Sequence, residues 1–150
     1  MTVCTPYSHT DFEAEEMAND GFMKVFDRIE SFDVSRPFTP WIRRIMINSS
    51  IDHIRSQKKH YMTEDIDEQF DISNNDISIL DKIAAEELMD HVRNLPPAYR
   101  TTFMLYAVEG LKHHEIAKQL DIAEGTSKSN YAKAKKKLQE SLSNWDNERG

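Results

Sequence analysis

Hydrophobic residues recur at three- and four-residue intervals along much of this chain, and the alternation typical of strands is hard to find. Residues 11–31 predict a first amphipathic helix. Residues 41–59 predict a second helix that is apolar on two sides and therefore mostly buried. The apolar positions of the first helix are Phe22, Val25, Phe26, Ile29 and Phe32. Pro37 and Pro40 interrupt the pattern between the two helices.

The pattern in the second half of the chain predicts four more helices, at residues 77–94, 98–108, 112–120 and 125–142. Pro96 and Pro97 follow the first of these helices, and Gly110 follows the second. Residues 61–76 are polar, acidic and without a period, which is typical of a flexible linker. The sequence therefore predicts an all-α protein of two small helical domains, residues 1–60 and 77–150, joined by a flexible acidic linker.

Composition excludes several classes of protein. The 150 residues include no apolar stretch near the roughly 18 residues that span a bilayer, and the N-terminus lacks the order of a secretory signal. A cytoplasmic protein without membrane insertion is predicted. The single cysteine, Cys4, cannot form an internal disulfide, and no Cys/His pairing of zinc-site type occurs, so neither metal nor cofactor is expected. There is no glycine-rich phosphate loop, and His113 and His114 have no nucleophile beside them, so an enzyme is not expected.

The net charge of -7 is unevenly distributed along the chain. Residues 36–60 hold six basic residues and one acidic residue, and residues 112–140 hold seven basic and four acidic residues. Between them, residues 61–90 hold ten acidic residues and one lysine. Two basic blocks separated by an acidic connector favour two modules that bind one polyanion, and the alternative is a pair of solvated helix faces.

The C-terminal basic block, residues 111–142, has the layout of a helix-turn-helix motif. Thr126 is placed to cap the second helix of the motif. On a helical wheel, Tyr131, Ala134, Leu138 and Leu142 share one side, and Ser129, Lys133, Lys136 and Lys137 lie opposite. Such a helix can enter the major groove of DNA, where lysine and serine side chains reach base edges and phosphates. The alternative is a helical hairpin with a solvated lysine face.

The helix that begins near Trp41 carries a second candidate surface. Trp41, Arg44, Asn48, Asp52, Arg55 and Lys59 are spaced by three or four residues and so share one stripe. An aromatic, an amide and several cations on one stripe suit single-stranded or opening DNA, because bases stack on the indole and cations follow the phosphates. Alternatively, Trp41 is a core residue under the Pro40 turn, and Asn48 is a buried polar residue.

Three runs of sequence together resemble a known family. They are DGFMKVFDRIESFD (20–33), PFTPWIRRIMINSSIDHIR (37–55) and LPPAYRTTFMLYAVEGLKHHEIAKQLDIAEGTSKSNYAKAKKKL (95–138). In order and spacing they closely resemble bacterial RNA polymerase sigma factors of the extracytoplasmic-function group, within the sigma-seventy superfamily. The GTSKSN run is similar to members from Bacteroidetes. The resemblance implies a promoter-melting domain, region 2, and a minus-thirty-five-binding domain, region 4.

The resemblance also implies roles for individual residues. Asp20, Phe22, Lys24 and Phe26 match the surface that docks on the beta-prime clamp coiled coil of core RNA polymerase. The loop at residues 31–38 and the helix that holds Trp41 and Asn48 match the part that captures unpaired minus-ten bases. The basic residues of the stripe on that helix, Arg44, Arg55 and Lys59, are expected to contact the same DNA. The recognition-helix positions that face the minus-thirty-five element are matched by Lys128, Ser129, Ala132, Lys133 and Lys135, with Lys135 expected to meet phosphate. Thr126 and Lys136 are further expected contacts to this element. The beta flap of the polymerase, promoter DNA and an anti-sigma factor are the further implied partners.

The resemblance leads to two further expectations, one for the acidic linker and one for the N-terminus. The acidic linker is expected either to mimic RNA in the polymerase cleft or to be a plain spacer. Region 2 is expected to be shortened at its N-terminus by most of one helix, which would leave Phe12, Met17 and Phe22 less covered. The sequence therefore predicts a sigma factor. The alternatives are an autonomous helix-turn-helix regulator and a truncated sigma factor that acts mainly as an anti-sigma partner.

Overall fold

The computed structural model describes residues 3–57 and 85–149, and every regular element in those ranges is helical. The helices are α1 (Asp11–Arg28), α2 (Phe38–Gln57), α3 (Ala85–Arg93), α4 (Pro97–Phe103), α5 (His113–Leu120) and α6 (Glu124–Arg149). The predicted all-α fold of two helical domains is confirmed. The predicted linker, Lys59 and the start of the helix predicted at 77–94 lie outside the described residues.

Helices α1 and α2 pack closely against each other and form an N-terminal pair. α1 begins where the Thr10 hydroxyl accepts a hydrogen bond from the Glu13 amide at 3.1 Å. A Cβ added at Gly21 would overlap the Met46 sulfur, so glycine permits this approach of the two helices. Met17 is fully buried. The expectation that Met17 would be left uncovered is therefore wrong, whereas Phe12 is 70% exposed as expected.

Helix α2 begins at Phe38, three residues before the predicted start. Pro40 lies within its first turn, where a backbone N–H has no helical partner and proline is tolerated. The prediction that Pro40 lies between the two helices is therefore wrong, because Pro40 is part of α2. The buried side of α2 is apolar through Ile45, Met46, Ile47, Ile51 and Ile54, as the pattern predicted.

Helices α3 to α6 form a C-terminal unit that contains the predicted helix-turn-helix, α5 and α6. α4 continues into one π-helical turn at Met104–Val108, and Gly110 follows with a φ of 73°. Asp121 ends α5 with a φ of 54°, a left-handed conformation that aspartate tolerates better than most residues. α6 begins at Glu124, so Thr126 lies inside its first turn and the predicted cap at Thr126 is wrong.

The two units share one hydrophobic cluster. Buried residues of α2 such as Ile51 belong to the same cluster as Leu105 and Ile116 of the C-terminal unit. Residues 3–10, ahead of α1, join it through Cys4 and Tyr7, which are 0% and 1% exposed. The described parts of the chain therefore pack on one another, so that α2 faces α5.

Candidate nucleic-acid interface

Helix α6 presents its lysines unevenly. Lys128 and Lys136 are exposed, and Ser129 and Lys135 are half-buried. Lys133 is only 8% exposed, because the buried side of α6 includes the polar residues Ser127 and Asn130 as well as the apolar positions. The wheel that placed Lys133 opposite the core is therefore wrong, and the outward face of α6 runs through Lys128 and Lys136.

A small aromatic and polar cluster joins α5 to α6. The His113 ring stacks on Tyr106 with centroids 4.4 Å apart, and Tyr106 lies 4.4 Å from Tyr131. His113 Nδ1 lies 2.9 Å from the Ser127 hydroxyl on the first turns of α6. Lys135 Nζ lies 5.5 Å from the centre of the Tyr131 ring, in cation–π geometry. These contacts join α5 to α6, and no pattern in the sequence indicated the role of His113.

The environment of His113 makes the stability of the fold dependent on pH. Burial, followed by the nearby charge of Lys128, lowers the pKa of His113. As the pH falls, His113 is therefore protonated in the unfolded chain before it is protonated in the folded chain. Its contribution to stability is complete above the ordinary histidine pKa of about 6.5, where the imidazole is neutral in both states. We expect that contribution to be lost as the pH falls from about 6.5 through the folded-state pKa.

Denaturant unfolding of His113→Asn between pH 8 and pH 5 should show a smaller loss of stability at low pH than the unsubstituted protein does. His114 is the matched control, because it is adjacent in sequence but exposed. His114→Asn should preserve the original dependence on pH. Identical profiles for the original protein and His113→Asn would contradict the assignment.

Three aromatic rings cluster where the loop after α1 meets the start of α2. Phe32 lies 4.9 Å from Trp41 and 5.3 Å from Phe38, and Phe38 lies 5.6 Å from Trp41, between ring centroids. Two of these rings, Phe32 and Trp41, line a pocket of roughly 370 Å³ together with Arg36 and Arg44. Trp41 is half-buried in this cluster and is not part of the main core. Aromatic walls beside two guanidinium groups can hold a flat heterocycle and its phosphate.

The loop that closes this pocket is shaped by Asp33. Its carboxylate accepts hydrogen bonds from the Ser35 amide at 3.0 Å and the Ser35 hydroxyl at 2.6 Å. These hydrogen bonds lower the pKa of Asp33. Arg36 Nε lies 3.6 Å from the same carboxylate, so a short polar turn positions one of the two arginines of the pocket.

Three members of the predicted stripe on α2 lie beside the C-terminal unit. Arg44, Asn48 and Arg55 are exposed on one side of α2. The side-chain amide of Gln119 donates a hydrogen bond to Asn48 Oδ1 at 2.8 Å, and Arg55 donates to the Gln119 carbonyl at 3.4 Å. Arg44 and Asn48 also line a cleft of roughly 700 Å³ between α2 and α5. Asp52, the acidic member of the stripe, forms an ion pair with Lys24 at 3.1 Å.

The outward side of α1 carries exposed apolar side chains. Phe26 is 72% exposed, Met23 64% and Phe22 44%. The carboxylate of Asp20, two residues before Phe22, lies 3.8 Å from His53 Nδ1 on α2. Apolar side chains that stay exposed on one side of a helix, while its other side is buried, are typical of a protein-binding surface.

Within residues 3–57 and 85–149, no helix is both long and apolar enough to cross a membrane. The same ranges bring together no group of three or more metal-ligating side chains.

Family models and known proteins match both units. Residues 1–60 match Sigma-70 region 2, and residues 85–138 match Sigma-70, region 4. The ECF RNA polymerase sigma factor SigW of Bacillus subtilis is 30% identical over 141 residues, covering 87% of this chain and 75% of the relative. The ECF RNA polymerase sigma-E factor of Haemophilus influenzae is 25% identical over 138 residues, covering 85% and 73%.

A solved structure resembles the fold as well. The sigma factor RpoE of Bartonella quintana, in complex with the anti-sigma factor NepR, matches with a TM-score of 0.57. It is 20% identical in sequence, and the match covers 95% of this chain and 88% of that chain.

Proposed function

Because this chain belongs to the extracytoplasmic-function sigma factors, we propose that it binds core RNA polymerase and directs promoter-specific initiation of transcription. One observation carries the proposal: a single chain combines an exposed apolar side on α1, an aromatic pocket at the start of α2 and a lysine face on α6. It supplies specificity to the polymerase without catalysing a reaction itself. It acts in the bacterial cytoplasm, where polymerase and chromosome meet.

Each surface is assigned one task in this proposal. Phe22 and Phe26, flanked by Asp20 and Lys24, dock on the beta-prime clamp coiled coil of the polymerase. The pocket beside Trp41, with Arg44, Asn48, Arg55 and Lys59, holds unpaired minus-ten bases and their phosphates. The minus-thirty-five element meets the outward face of α6. The residues assigned to that face are Thr126, Lys128, Ser129, Lys135 and Lys136.

Substitutions at Lys133 and Lys136 test the packed side and the proposed DNA-binding side of α6 separately. Lys136 is exposed, and we expect Lys136→Ala to weaken promoter-duplex binding and to reduce its salt slope by about 1. Lys133 is buried along its stem, so Lys133→Ala should instead cost about 1–2 kcal/mol of stability through lost packing. Binding titrations at several salt concentrations, with thermal melts of both variants, measure the two effects. Equal salt slopes for the two variants would contradict the assignment of Lys136 to DNA binding and Lys133 to packing.

Copurification with core polymerase tests the proposed function against its alternatives. The full chain should coelute with core enzyme, and the complex should bind promoter DNA that neither component binds specifically alone. An autonomous helix-turn-helix regulator would bind duplex DNA specifically and would not coelute with core enzyme. A protein that acts mainly through an anti-sigma factor would bind that partner tightly and support no transcription. An anti-sigma factor is nevertheless a proposed partner, since the structurally similar RpoE binds one.

A further inference from the structure

The methionine side chains differ sharply in their exposure to solvent. Met17, Met46 and Met104 are buried, and Met89 is half-buried. Met23 is 64% exposed, which makes it the most exposed methionine in the part of the chain that the structure describes. Its thioether sulfur is therefore open to reagents in solution while the other described methionines are shielded by the fold.

Met23 lies in the middle of the apolar side of α1. Phe22 precedes it, and Phe26 follows three positions later on the same side of the helix. Both phenylalanines belong to the surface proposed above to dock on core RNA polymerase. A change in the polarity of Met23 therefore acts inside that surface.

Methionine reacts with peroxides by transfer of one oxygen atom. The sulfur lone pair attacks one oxygen of hydrogen peroxide, so an S–O bond forms and the O–O bond breaks. The other oxygen takes up a proton and leaves as water, and the sulfur has lost two electrons to the peroxide. A reductase that uses a dithiol reverses the change, because the dithiol becomes a disulfide and the sulfoxide oxygen leaves as water.

The thiol of Cys4 is shielded from the same oxidant in the folded chain. Cys4 is the single cysteine of the sequence, and its side chain is fully buried in the hydrophobic cluster ahead of α1. Peroxide attacks exposed thiolates, and an apolar environment disfavours the thiolate. The fold thus covers the thiol and presents the thioether of Met23.

We propose that Met23 is a site of reversible oxidation, and that its sulfoxide weakens the docking of α1 on core RNA polymerase. The effect on docking rests on the proposed function of this side of α1. A sulfoxide oxygen accepts hydrogen bonds from water, and contact with an apolar partner removes that water without supplying a donor. Peroxide thereby lowers the fraction of this chain bound to polymerase, and reduction restores it.

Peptide mass spectrometry of the full chain, after brief treatment with hydrogen peroxide, tests the site. Met23 should gain one oxygen about tenfold faster than Met17, Met46 and Met104 do. In concentrated urea, where the fold no longer shields any of them, all four should be oxidised at similar rates. Similar rates in the folded chain, or oxidation of Cys4 before Met23, would overturn the assignment.

The affinity for purified core polymerase, measured after residual peroxide is removed with catalase, tests the effect. The oxidised chain should bind about tenfold more weakly. Treatment with methionine sulfoxide reductases A and B, which reduce the two sulfoxide epimers, should restore the original affinity. Met23→Leu keeps an apolar side chain of similar volume, and its affinity should be the same before and after peroxide. Sensitivity to peroxide that persists in Met23→Leu would overturn the proposal.

Phe12 provides a matched position for an exposed thioether. It is exposed on the same helix and lies outside the assigned docking residues. In a protein with Met23→Leu and Phe12→Met, the new methionine should be oxidised readily and the affinity for core polymerase should not change with oxidation. A loss equal to that of the original chain would show that the position of the sulfoxide does not matter, which contradicts the proposal.

Failure of the oxidation effect and failure of the proposed function give different results. A chain that binds core polymerase equally well before and after oxidation of Met23 would retain the proposed function and overturn the effect on docking. A chain that is oxidised at Met23 but never binds core polymerase would contradict the proposed function and the docking effect together. In that case the mass spectra alone would support Met23 as an oxidation site.

Discussion

Replacing Phe26 with serine is expected to weaken binding to core RNA polymerase by about 100-fold, the loss of one interfacial hot spot worth about 2–3 kcal/mol. The side chain is 72% exposed, so the substitution removes little buried surface and should leave the melting temperature unchanged. The affinity of the full chain for purified core enzyme, measured by fluorescence anisotropy, tests this result.

Phe12 provides the matched control for Phe26. It lies on the same helix, is 70% exposed and is about 21 Å away along the helix axis at a rise of about 1.5 Å per residue. Phe12→Ser makes the same chemical change outside the assigned docking residues and should preserve affinity. Equal losses in both variants would show that polymerase binds α1 elsewhere or without specificity.

The second large effect is expected at Asn48. Asn48→Ala should reduce promoter opening by about 10- to 100-fold, because the side chain that pairs with an unpaired base edge is lost. Duplex binding should change little, since α6 is untouched. Permanganate oxidation of unpaired thymines in the holoenzyme complex measures opening, and a filter-binding assay measures affinity for the duplex.

Gln119→Ala controls for the loss of the hydrogen bond between Asn48 and Gln119. Both substitutions remove that bond, but only Asn48→Ala removes the group assigned to the base. Gln119→Ala should therefore leave opening unchanged or raise it slightly. Equal defects in the two variants would assign Asn48 to contact between the units instead of to DNA.

Apolar periodicity predicted the helices well because each buries one consistent side. Spacings of three and four residues separate the buried positions of α1, α5 and α2. The observed bounds of these helices match the predicted ranges within a few residues. The start of α2, predicted at Trp41, and the cap and end of α6, predicted at Thr126 and residue 142, were placed less well. Proline is tolerated in the first turn of α2, although a proline is usually read as a break. Ala123 precedes α6 and has no polar side-chain atom to cap it, so a search for a capping residue misplaces this end.

The burial of Lys133 could not be predicted from the apolar pattern. Ser127 and Asn130 are polar but buried, at 0% and 2% exposure, and they belong to the same side of α6 as Ala134. A wheel drawn from apolar residues alone omits such positions and so misplaces the boundary of the core. Lys136 and Lys137 are exposed, as the wheel placed them.

The contacts between the two units had no local signal in the sequence. Cys4 and Tyr7, which are buried ahead of α1, show no periodic pattern, and Arg43 and Glu109 are separated by 66 positions. Pairings of this kind depend on how complete helices pack, which helical spacing does not encode. The family resemblance assigned roles to residues of α2 and α6 but not the arrangement in which α2 faces α5.

Transcription by reconstituted holoenzyme tests the central claim most directly. Purified core polymerase and the full chain would be incubated with fragmented bacterial DNA, and the 5′ ends of the transcripts would be mapped. We predict starts at a restricted set of positions, preceded by two shared sequence elements and absent with core enzyme alone. Transcripts no different from those of core enzyme alone, from a chain that nevertheless binds the polymerase, would contradict its function as a sigma factor.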